Sequence, residues 1–409
     1  MKCGLLGRKL SHSYSPQIHS SLGTYPYELF EVEPESLDDF FSGDHFSGIN
    51  VTIPYKKAAL AYCSQLSDRA KALGAVNTVV RQPDGTYIGH NTDFFGFSSM
   101  VSRSGLSIKN KKVLVLGSGG ASATVVAVVN TLGGIPVVIS RSGENNYTNL
   151  HLHADASVIV NATPVGMFPH TDDSPIDLAL FPMLEGVLDL IYNPARTKLL
   201  QQAEERGLIA ENGLWMLVAQ AKESAEWFTG QQISDEAIAN IHTKLRLQME
   251  NIVLVGMPGC GKSTIGKLLA NELGKTFVDA DKEIIKVAGM SIPEIFAERG
   301  EEGFRQIETQ VLANLGKKSG LVLATGGGCV TRQENYPLLH QNGTIIWLQR
   351  DIAKLPTDGR PLSQAGALNA MYAIRKPLYE AFSDLSVNND QAAEETVCAI
   401  RAALTGRLI

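Results

Sequence analysis

Apolar and polar positions follow one recurring order along this chain. A short apolar run is succeeded by a turn of glycine and small polar residues, then by a longer stretch with apolar positions three and four apart. The order is plain from KVLVLG (Lys112–Gly117) through an apolar helical stretch to PVVIS, ending at Ser140. It returns from NIVLVG (Asn251–Gly256) through IGKLLANELG, ending at Gly274. Uninterrupted apolar runs mark strands covered on both faces, and their alternation with helical periods predicts parallel sheets of an α/β fold. Residues 1 to about 95 repeat the pattern more loosely, with polar clusters at the strand ends, where ligands of open α/β sheets gather. A helix is predicted over 234–250, with Ser234 as N-cap and Asp235 and Glu236 in its first turn. It runs almost directly into Ile252 without a Gly/Ser-rich or Pro-rich linker, so a stiff junction is expected.

The length, 409 residues, exceeds what one hydrophobic core organises and predicts two or three domains. With 44% hydrophobic and 19% charged residues the composition is that of a soluble globular protein, and no repeat or low-complexity tract is evident. A net charge of −6 argues against a nucleic-acid backbone as main partner and leaves small molecules as the expected ones. The longest uncharged run, Val113 to Ser140, has the length of a membrane span, but its GSGG turn and Gly133-Gly134 break it into strand, turn, helix and strand; no membrane partner is expected. Arg8 and Lys9 interrupt the N-terminal apolar segment, so it has no signal-peptide core. Five cysteines lie scattered without C-x-x-C spacing, as expected of a reduced, cytoplasmic protein.

The most specific local signal is G-x-x-x-x-G-K-S at Gly256–Ser263, set between an apolar strand and a helix. Such a loop needs glycine because backbone N–H groups close around phosphate oxygens. Lys262 adds a point charge for the outer phosphates, and Ser263 offers a hydroxyl to magnesium. ATP would then lie on Gly259, Cys260, Gly261, Lys262, Ser263 and Thr264.

Four weaker clusters fall within the first 95 residues. SHSYSP puts Ser13 and Ser15 on one side of an extended segment; NVTIPYKK supplies Thr52 and Lys56; GAVNT and GHNTD supply Asn77 and Asp93, which can bond hydroxyls and orient an ammonium group. GSGGAS (Gly117–Ser122) is the glycine turn of a dinucleotide site, with Ser122 at the third glycine position. The next strand ends in Ser140, Arg141 and Ser142, where a cation and hydroxyls suit a 2′-phosphate and favour NADP over NAD. NATPVGM (Asn161–Met167) and DLIYNP (Asp189–Pro194) end strands beside the expected nicotinamide. In GLWMLVAQA (Gly213–Ala221), Gln220 follows Met216 by four residues, hence on the same helix face.

At these motifs, in this order, residues 1 to about 245 resemble shikimate dehydrogenase. The resemblance implies a two-lobed unit: a substrate-binding catalytic lobe (1–95 with 206–248) and a Rossmann NADP lobe (96–205). It implies that Ser13, Ser15, Thr52, Asn77, Asp93, Gln220 and Tyr192 bind shikimate or 3-dehydroshikimate, and that Lys56 and Asp93 form the catalytic pair. NADP would lie on Gly117, Gly119, Gly120, Ala121, Ser122, Ser140, Arg141, Ser142 and Gly213. The family usually has Asn-Arg-Thr where this chain has Ser140-Arg141-Ser142, a departure that keeps the charge.

Beyond the phosphate loop come FVDADKEI (Phe277–Ile284), GEEGFRQIE (Gly300–Glu308), ATGGG (Ala324–Gly328), GRPL (Gly359–Leu362) and RKPLY (Arg375–Tyr379). Asp279 and Asp281 alternate as though both leave a strand end on one side, and Arg305 with Glu308 has the spacing of a surface ion pair on a helix. Residues 251–409 resemble shikimate kinase, which implies a P-loop α/β domain of the nucleoside-monophosphate-kinase type over 249–409. Position by position, Asp281 would accept the substrate hydroxyl's proton; Arg305, Arg375 and the Gly327 backbone would grip its carboxylate. Lys262 and Arg360 would neutralise the transferring phosphoryl group, with Mg2+ on Ser263 and Asp279. The segment Arg350–Leu362 is shorter than the family's usual lid.

The two resemblances share one molecule. Expected, therefore, is a bifunctional enzyme of aromatic biosynthesis that reduces 3-dehydroshikimate with NADPH and phosphorylates the shikimate formed with ATP, released freely between sites, in a monomer or homodimer. The alternatives are a quinate/shikimate dehydrogenase using NAD, fused to a small-molecule kinase; a sensing module in place of the first enzyme; and a nucleotide kinase in place of the second.

Overall fold

The computed structural model describes residues 1–10, 13–355 and 365–406. Two compact units divide the chain: Met1–Tyr192 with Leu199–Lys244, and Asn193–Lys198 with Leu245–Ile409.

The first unit holds two sheets. One contains β1 (Cys3–Gly7), β2 (Tyr27–Glu31), β3 (Gly48–Val51), β4 (Gln65–Leu66), β5 (Thr78–Arg81) and β6 (Tyr87–His90), in the order β2-β1-β3-β5-β6-β4. β1 runs parallel to β2 and β3, while β5 is antiparallel to both its neighbours. The helices α1 (Ser15–Leu22), α2 (Leu37–Ser42), α3 (Asp68–Leu73) and α4 (Asp93–Ser104) accompany it. The second sheet is wholly parallel, with β7 (Lys112–Leu116), β8 (Ile135–Ile139), β9 (Val158–Asn161), β10 (Gly186–Asp189) and β11 (Ile209–Glu211) ordered β11-β10-β9-β7-β8. Its strand β7 shows why the uninterrupted apolar runs read as doubly covered strands. Val113 and Val115 face a core shared with Phe97 and Met100 of α4, whereas Leu114 and Leu116 face a core shared with Ile159, Phe181 and Leu199. With α5 (Gly120–Thr131) following β7, the remaining helices up to the junction are α6 (Lys198–Glu205), α7 (Leu214–Thr229) and α8 (Glu236–Met249). Met216 on α7 packs against the β7 core, so its place on the Gln220 face is a packing role.

The second unit is built on one parallel sheet of β12 (Asn251–Val255), β13 (Thr276–Asp279), β14 (Leu321–Ala324), β15 (Gly343–Gln349) and β16 (Leu385–Asn388), ordered β13-β14-β12-β15-β16. α9 (Lys262–Leu273), α10 (Ala280–Ala288), α11 (Ile292–Gly316), α12 (Asn335–His340), α13 (Ala365–Phe382) and α14 (Ala393–Gly406) complete it. β12 and β15 are buried along most of their length and form the middle of a single core. Both parallel sheets reverse direction of growth at their glycine-loop strand, β7 or β12, which opens a crevice at the strands' carboxyl ends.

Three local expectations are corrected. The Ser13–Ser15 segment is not extended: Tyr14 has helical dihedrals and α1 opens at Ser15, with Pro16 in its first turn. Asp281 does not leave a strand. β13 stops at Asp279, whose carboxylate caps α10 by accepting the Asp281 N–H at 3.1 Å, so Asp281 lies in the first helical turn. Arg305 and Glu308 do have i, i+3 spacing but are no surface pair, since both are buried. Arg360 lies outside the described residues.

Candidate active sites

In the first unit, Asp93 takes the opening position of α4, where backbone dipoles favour a carboxylate. Lys56, in the turn after β3, donates from Nζ to Asp93 Oδ2 at 2.6 Å. The two side chains keep 28% and 13% of their surface exposed. That shelter strengthens the bond and still leaves the ammonium within reach of a ligand.

Beside this pair, Asn77 is locked by its neighbours. Its Oδ1 accepts the Thr92 N–H at 2.8 Å, with the hydroxyls of Thr78 and Thr92 each at 3.2 Å, while its Nδ2 donates to Thr92 Oγ1 at 3.0 Å. A backbone N–H can only donate, so the amide has one orientation and its second Nδ2 hydrogen remains for a ligand oxygen. Behind it lies Ser224 on α7. Its Oγ donates to Gln220 O at 2.9 Å and stands 2.8 Å from Asn50 Nδ2, 2.8 Å from Thr78 and 3.0 Å from Thr92. Asn50 in turn accepts from the Tyr27 hydroxyl at 2.8 Å. This net, buried at Asn50, Thr78, Thr92 and Ser224, ties α7 to β3, β5 and the start of α4, and so sets Gln220, whose Oε1 lies 3.5 Å from Thr92 Oγ1. α4 and α7 approach closely because position 96 is glycine: a Cβ there would lie 2.8 Å from Met216 O.

The structure thus sets the Lys56–Asp93 pair next to the net that holds Asn77 and Gln220, with Asp93 directly following Thr92 in the chain, and places the other expected substrate residues on adjoining segments. Ser13 Oγ accepts the Ser15 N–H at 3.2 Å at the start of α1; Thr52 donates its N–H to Leu6 O at 2.9 Å just past β3. Tyr192, after β10, meets Tyr14 edge to face at 6.2 Å, and burial raises the pKa of both phenols. His19 on α1 stacks on Tyr27 at 4.0 Å and shares a hydrogen bond with the Tyr25 hydroxyl; burial lowers its pKa to about 3, so it stays neutral. Sequence reasoning missed Asn50, Thr78, Thr92 and Ser224. The signal available was Ser224 four residues after Gln220, on the same helical face.

At the second sheet, Gly117, with φ 101°, turns the chain off β7, and a Cβ on it would strike Thr163 Cγ2 at 2.9 Å. Gly119 caps α5; Gly120, Ala121 and Ser122 form its first turn, with the Ser122 side chain buried. A cleft of about 760 Å³ is lined by Gly117, Ser118 and Gly119 on one side, by Ser140, Arg141 and Tyr147 on another, and by Ala162–Val165 and Asp173–Pro175. An exposed guanidinium at the rim and the N–H face of a helix start are suited to phosphate groups. Asn161 shapes the inner wall: its Oδ1 accepts from Thr163 N–H and Oγ, and its Nδ2 donates to Asp189 at 3.0 Å. Gly213 lies at the start of α7. It caps α7 and donates its N–H to Ile191 O at 3.0 Å, pressed against Leu190.

In the second unit the loop after β12 holds Lys262 inward. Nζ donates to Gly256 O at 2.8 Å and Met257 O at 3.0 Å, with Cys260 Sγ at 3.9 Å. Ser263 Oγ donates to Asp279 Oδ2 at 2.8 Å, so a hydroxyl and a carboxylate, hard oxygen donors, stand together where a phosphate-bound Mg2+ would need them. The Gly326–Gly328 turn after β14 gathers the remaining groups. A Cβ on Gly326 would lie 2.6 Å from Glu308 Oε1 and 3.0 Å from Asp281 Oδ1, and one on Gly328 would overlap the Arg305 guanidinium. Arg305 Nη1 donates to Glu308 Oε2 at 2.6 Å, and Arg375 Nη1 to Gly327 O at 3.3 Å; the Tyr379 hydroxyl also donates to Gly327 O. Burial raises the Glu308 pKa against the lowering pull of Arg305. α11 breaks at Gly300, with φ 68°, which frees the helix after it to carry Arg305 and Glu308 inward.

A family model described as shikimate dehydrogenase substrate binding domain matches residues 5–79, and one described as shikimate kinase matches residues 258–405. A shikimate dehydrogenase (NADP(+)) of Clostridium beijerinckii is 32% identical over 260 residues, covering 59% of this chain and 96% of that relative. Among solved structures, a chorismate mutase/shikimate 5-dehydrogenase fusion protein from Clostridium acetobutylicum aligns with TM-score 0.56 and 35% identity, over 59% of this chain and 96% of that one. The shikimate 5-dehydrogenase from Thermus thermophilus, in complex with NADP(H) and shikimate, aligns with TM-score 0.55 and 30% identity, over 60% and 99% of the two chains.

Proposed function

Because this chain belongs to the shikimate dehydrogenase family and carries a shikimate kinase domain behind that part, we propose that it performs two consecutive steps on one molecule. It reduces 3-dehydroshikimate to shikimate with NADPH, and phosphorylates shikimate to shikimate 3-phosphate with ATP. What supports the reading is that a lysine–aspartate pair stands beside Asn77 in the first unit, and that Asp281, Arg305 and Arg375 gather at the Gly326–Gly328 turn in the second; each set suits a proton-handling group beside binders of a polyhydroxylated acid. The catalytic lobe is assigned to 1–95 with 206–248, the NADP lobe to 96–205 and the kinase to 249–409.

Bound NADPH would supply the hydride, ATP the phosphoryl group, and a bound Mg2+ would offset the phosphate charge; the chain binds, orients and moves the protons. As the ketone carbon gains hydride, negative charge grows on its oxygen. Lys56, held by Asp93, donates a proton to that oxygen, while Asn77 and Gln220 orient the ring hydroxyls and Ser13 and Ser15 the carboxylate. Arg141 would hold the 2′-phosphate and Gly117–Ser122 the pyrophosphate. In the kinase, Asp281 takes the proton of the 3-hydroxyl as its oxygen bonds the γ-phosphorus and the bond to ADP breaks. Arg305 and Arg375 hold the carboxylate, Lys262 steadies the phosphoryl charge, and Ser263 with Asp279 would hold the metal.

Protein given 3-dehydroshikimate, NADPH and ATP should consume NADPH and form ADP and shikimate 3-phosphate in equal amounts. Silence of either signal with its own substrates removes that half. Rates with shikimate or quinate and NADP or NAD should rank shikimate with NADP first. Arg141→Ala is expected to raise KM for NADPH about tenfold, the size of one charge-assisted hydrogen-bonding group, and to leave KM for NADH nearly unchanged. Equal shifts for both cofactors would remove Arg141 from the 2′-phosphate.

A further inference from the structure

The order of strands around the phosphate loop sorts the groups near it. β12 lies between β14 and β15. On the β14 flank stand Asp279, assigned to the metal, and Asp281, Arg305 and the Gly326–Gly328 turn, the acceptor groups of the proposed kinase. In-line transfer requires the outermost phosphate to face the acceptor, so the inner phosphate and the nucleoside extend to the other flank. There β15 and β16 end together, with Gln349 paired to Asn388, and the next residues are Arg350 and Asn389.

Asn389 is a strut. Its Nδ2 donates to Cys260 O at 2.6 Å and its Oδ1 accepts from Thr396 Oγ1 at 2.8 Å, which clamps this side of the loop. Arg350 has a different character. Gly261, with φ 98°, caps α9, and a Cβ on it would lie 2.7 Å from Asn389 Nδ2 and 3.7 Å from Arg350 Nη1, so the guanidinium lies against the loop backbone. Its Nε is buried without a hydrogen-bond partner, and among the described residues it has no ion pair. The carboxylates beside it are engaged elsewhere. Asp351 accepts the Ala353 N–H at 3.0 Å; Asp390 accepts the Asp351 N–H at 2.9 Å and faces Lys354 Nζ at 3.6 Å. A guanidinium beside a phosphate loop, without a counter-ion among the described residues, has the fork of donors that grips phosphate.

We propose that Arg350 is a nucleotide-binding residue of the kinase, gripping the inner, ribose-linked phosphate of ATP from the β15–β16 flank of the loop. The proposal rests on the kinase reading and adds to it a binding group beyond those that reading names. In the full chain, Arg350→Ala should raise KM for ATP about tenfold or more, the effect of losing hydrogen bonds to a charged group. KM for shikimate in the kinase reaction, both dehydrogenase rates and the unfolding midpoint should remain those of the wild type, and Arg350→Lys should recover part of the loss. ADP affinity by calorimetry should fall by the same factor. A KM for ATP and an ADP affinity within twofold of wild type would overturn the assignment. So would a parallel rise in KM for ATP and shikimate with a lowered unfolding midpoint, which marks a packing role. If the wild type forms no ADP from shikimate, the kinase reading falls by itself; ADP affinity then still decides for Arg350, unchanged affinity overturning it and lost affinity upholding it.

Discussion

Replacing Lys56 with alanine should lower kcat for NADP-dependent shikimate oxidation about a thousandfold, within the range of a lost general acid–base group. ADP formation from ATP and shikimate should continue at the wild-type rate. The large effect follows from geometry. Nζ bonds Asp93 Oδ2 at 2.6 Å, so the ammonium is fixed in place before substrate arrives, and among the described residues no other cation pairs with Asp93. KM for shikimate should move far less, because Asn77 and Gln220 are set by the Ser224 net and not by Lys56. Asp93→Asn keeps the shape but loosens the ammonium, and should fall between wild type and Lys56→Ala. A drop below tenfold for Lys56→Ala would remove Lys56 from the chemistry. A parallel loss of kinase activity at an unchanged unfolding midpoint would mean that the two sites are coupled.

Some of this arrangement is written locally and some is not. The two glycine loops are legible because strand, turn and helix follow one another within about twenty residues, and each carries its own signal: an apolar run, glycines, then Lys262 or the Gly119 cap. The Ser224 net is not, since it closes between positions 50, 78, 92 and 224, and only the tertiary packing of α7 brings them together. Asp281 was misplaced by a competition that sequence period alone does not decide. Asp279-Ala280-Asp281 alternates like a strand, yet a carboxylate that can cap N–H groups two residues on starts a helix instead. The Ser13–Ser15 segment held the opposite clue, because a proline after Ser15 suits the first turn of a helix. Spacing alone cannot tell an exposed ion pair from a buried one. Arg305 and Glu308 are buried because the helix breaks at Gly300 and the three-glycine turn leaves room for their side chains.

That burial decides how the kinase site should be tested. Arg305→Ala would leave the Glu308 carboxylate buried without its cation, a loss of about 3–5 kcal/mol that would confuse folding with function. Asp281→Asn avoids this. Asp281 stands in the first turn of α10, its backbone N–H bound to Asp279 and its Oδ1 against Gly326, and asparagine keeps the size while giving up the basic oxygen. The kinase kcat should fall about a hundredfold to a thousandfold, as for loss of a positioned base, with KM for ATP close to wild type and both dehydrogenase rates intact. Lys262→Ala should also silence phosphorylation, but with weaker ADP binding, since the proposed mechanism gives Lys262 to the phosphates and Asp281 to the acceptor. If Asp281→Asn phosphorylates shikimate at more than a tenth of the wild-type rate, the proton goes elsewhere, and the carboxylate beside Gly326 is there to orient the acceptor.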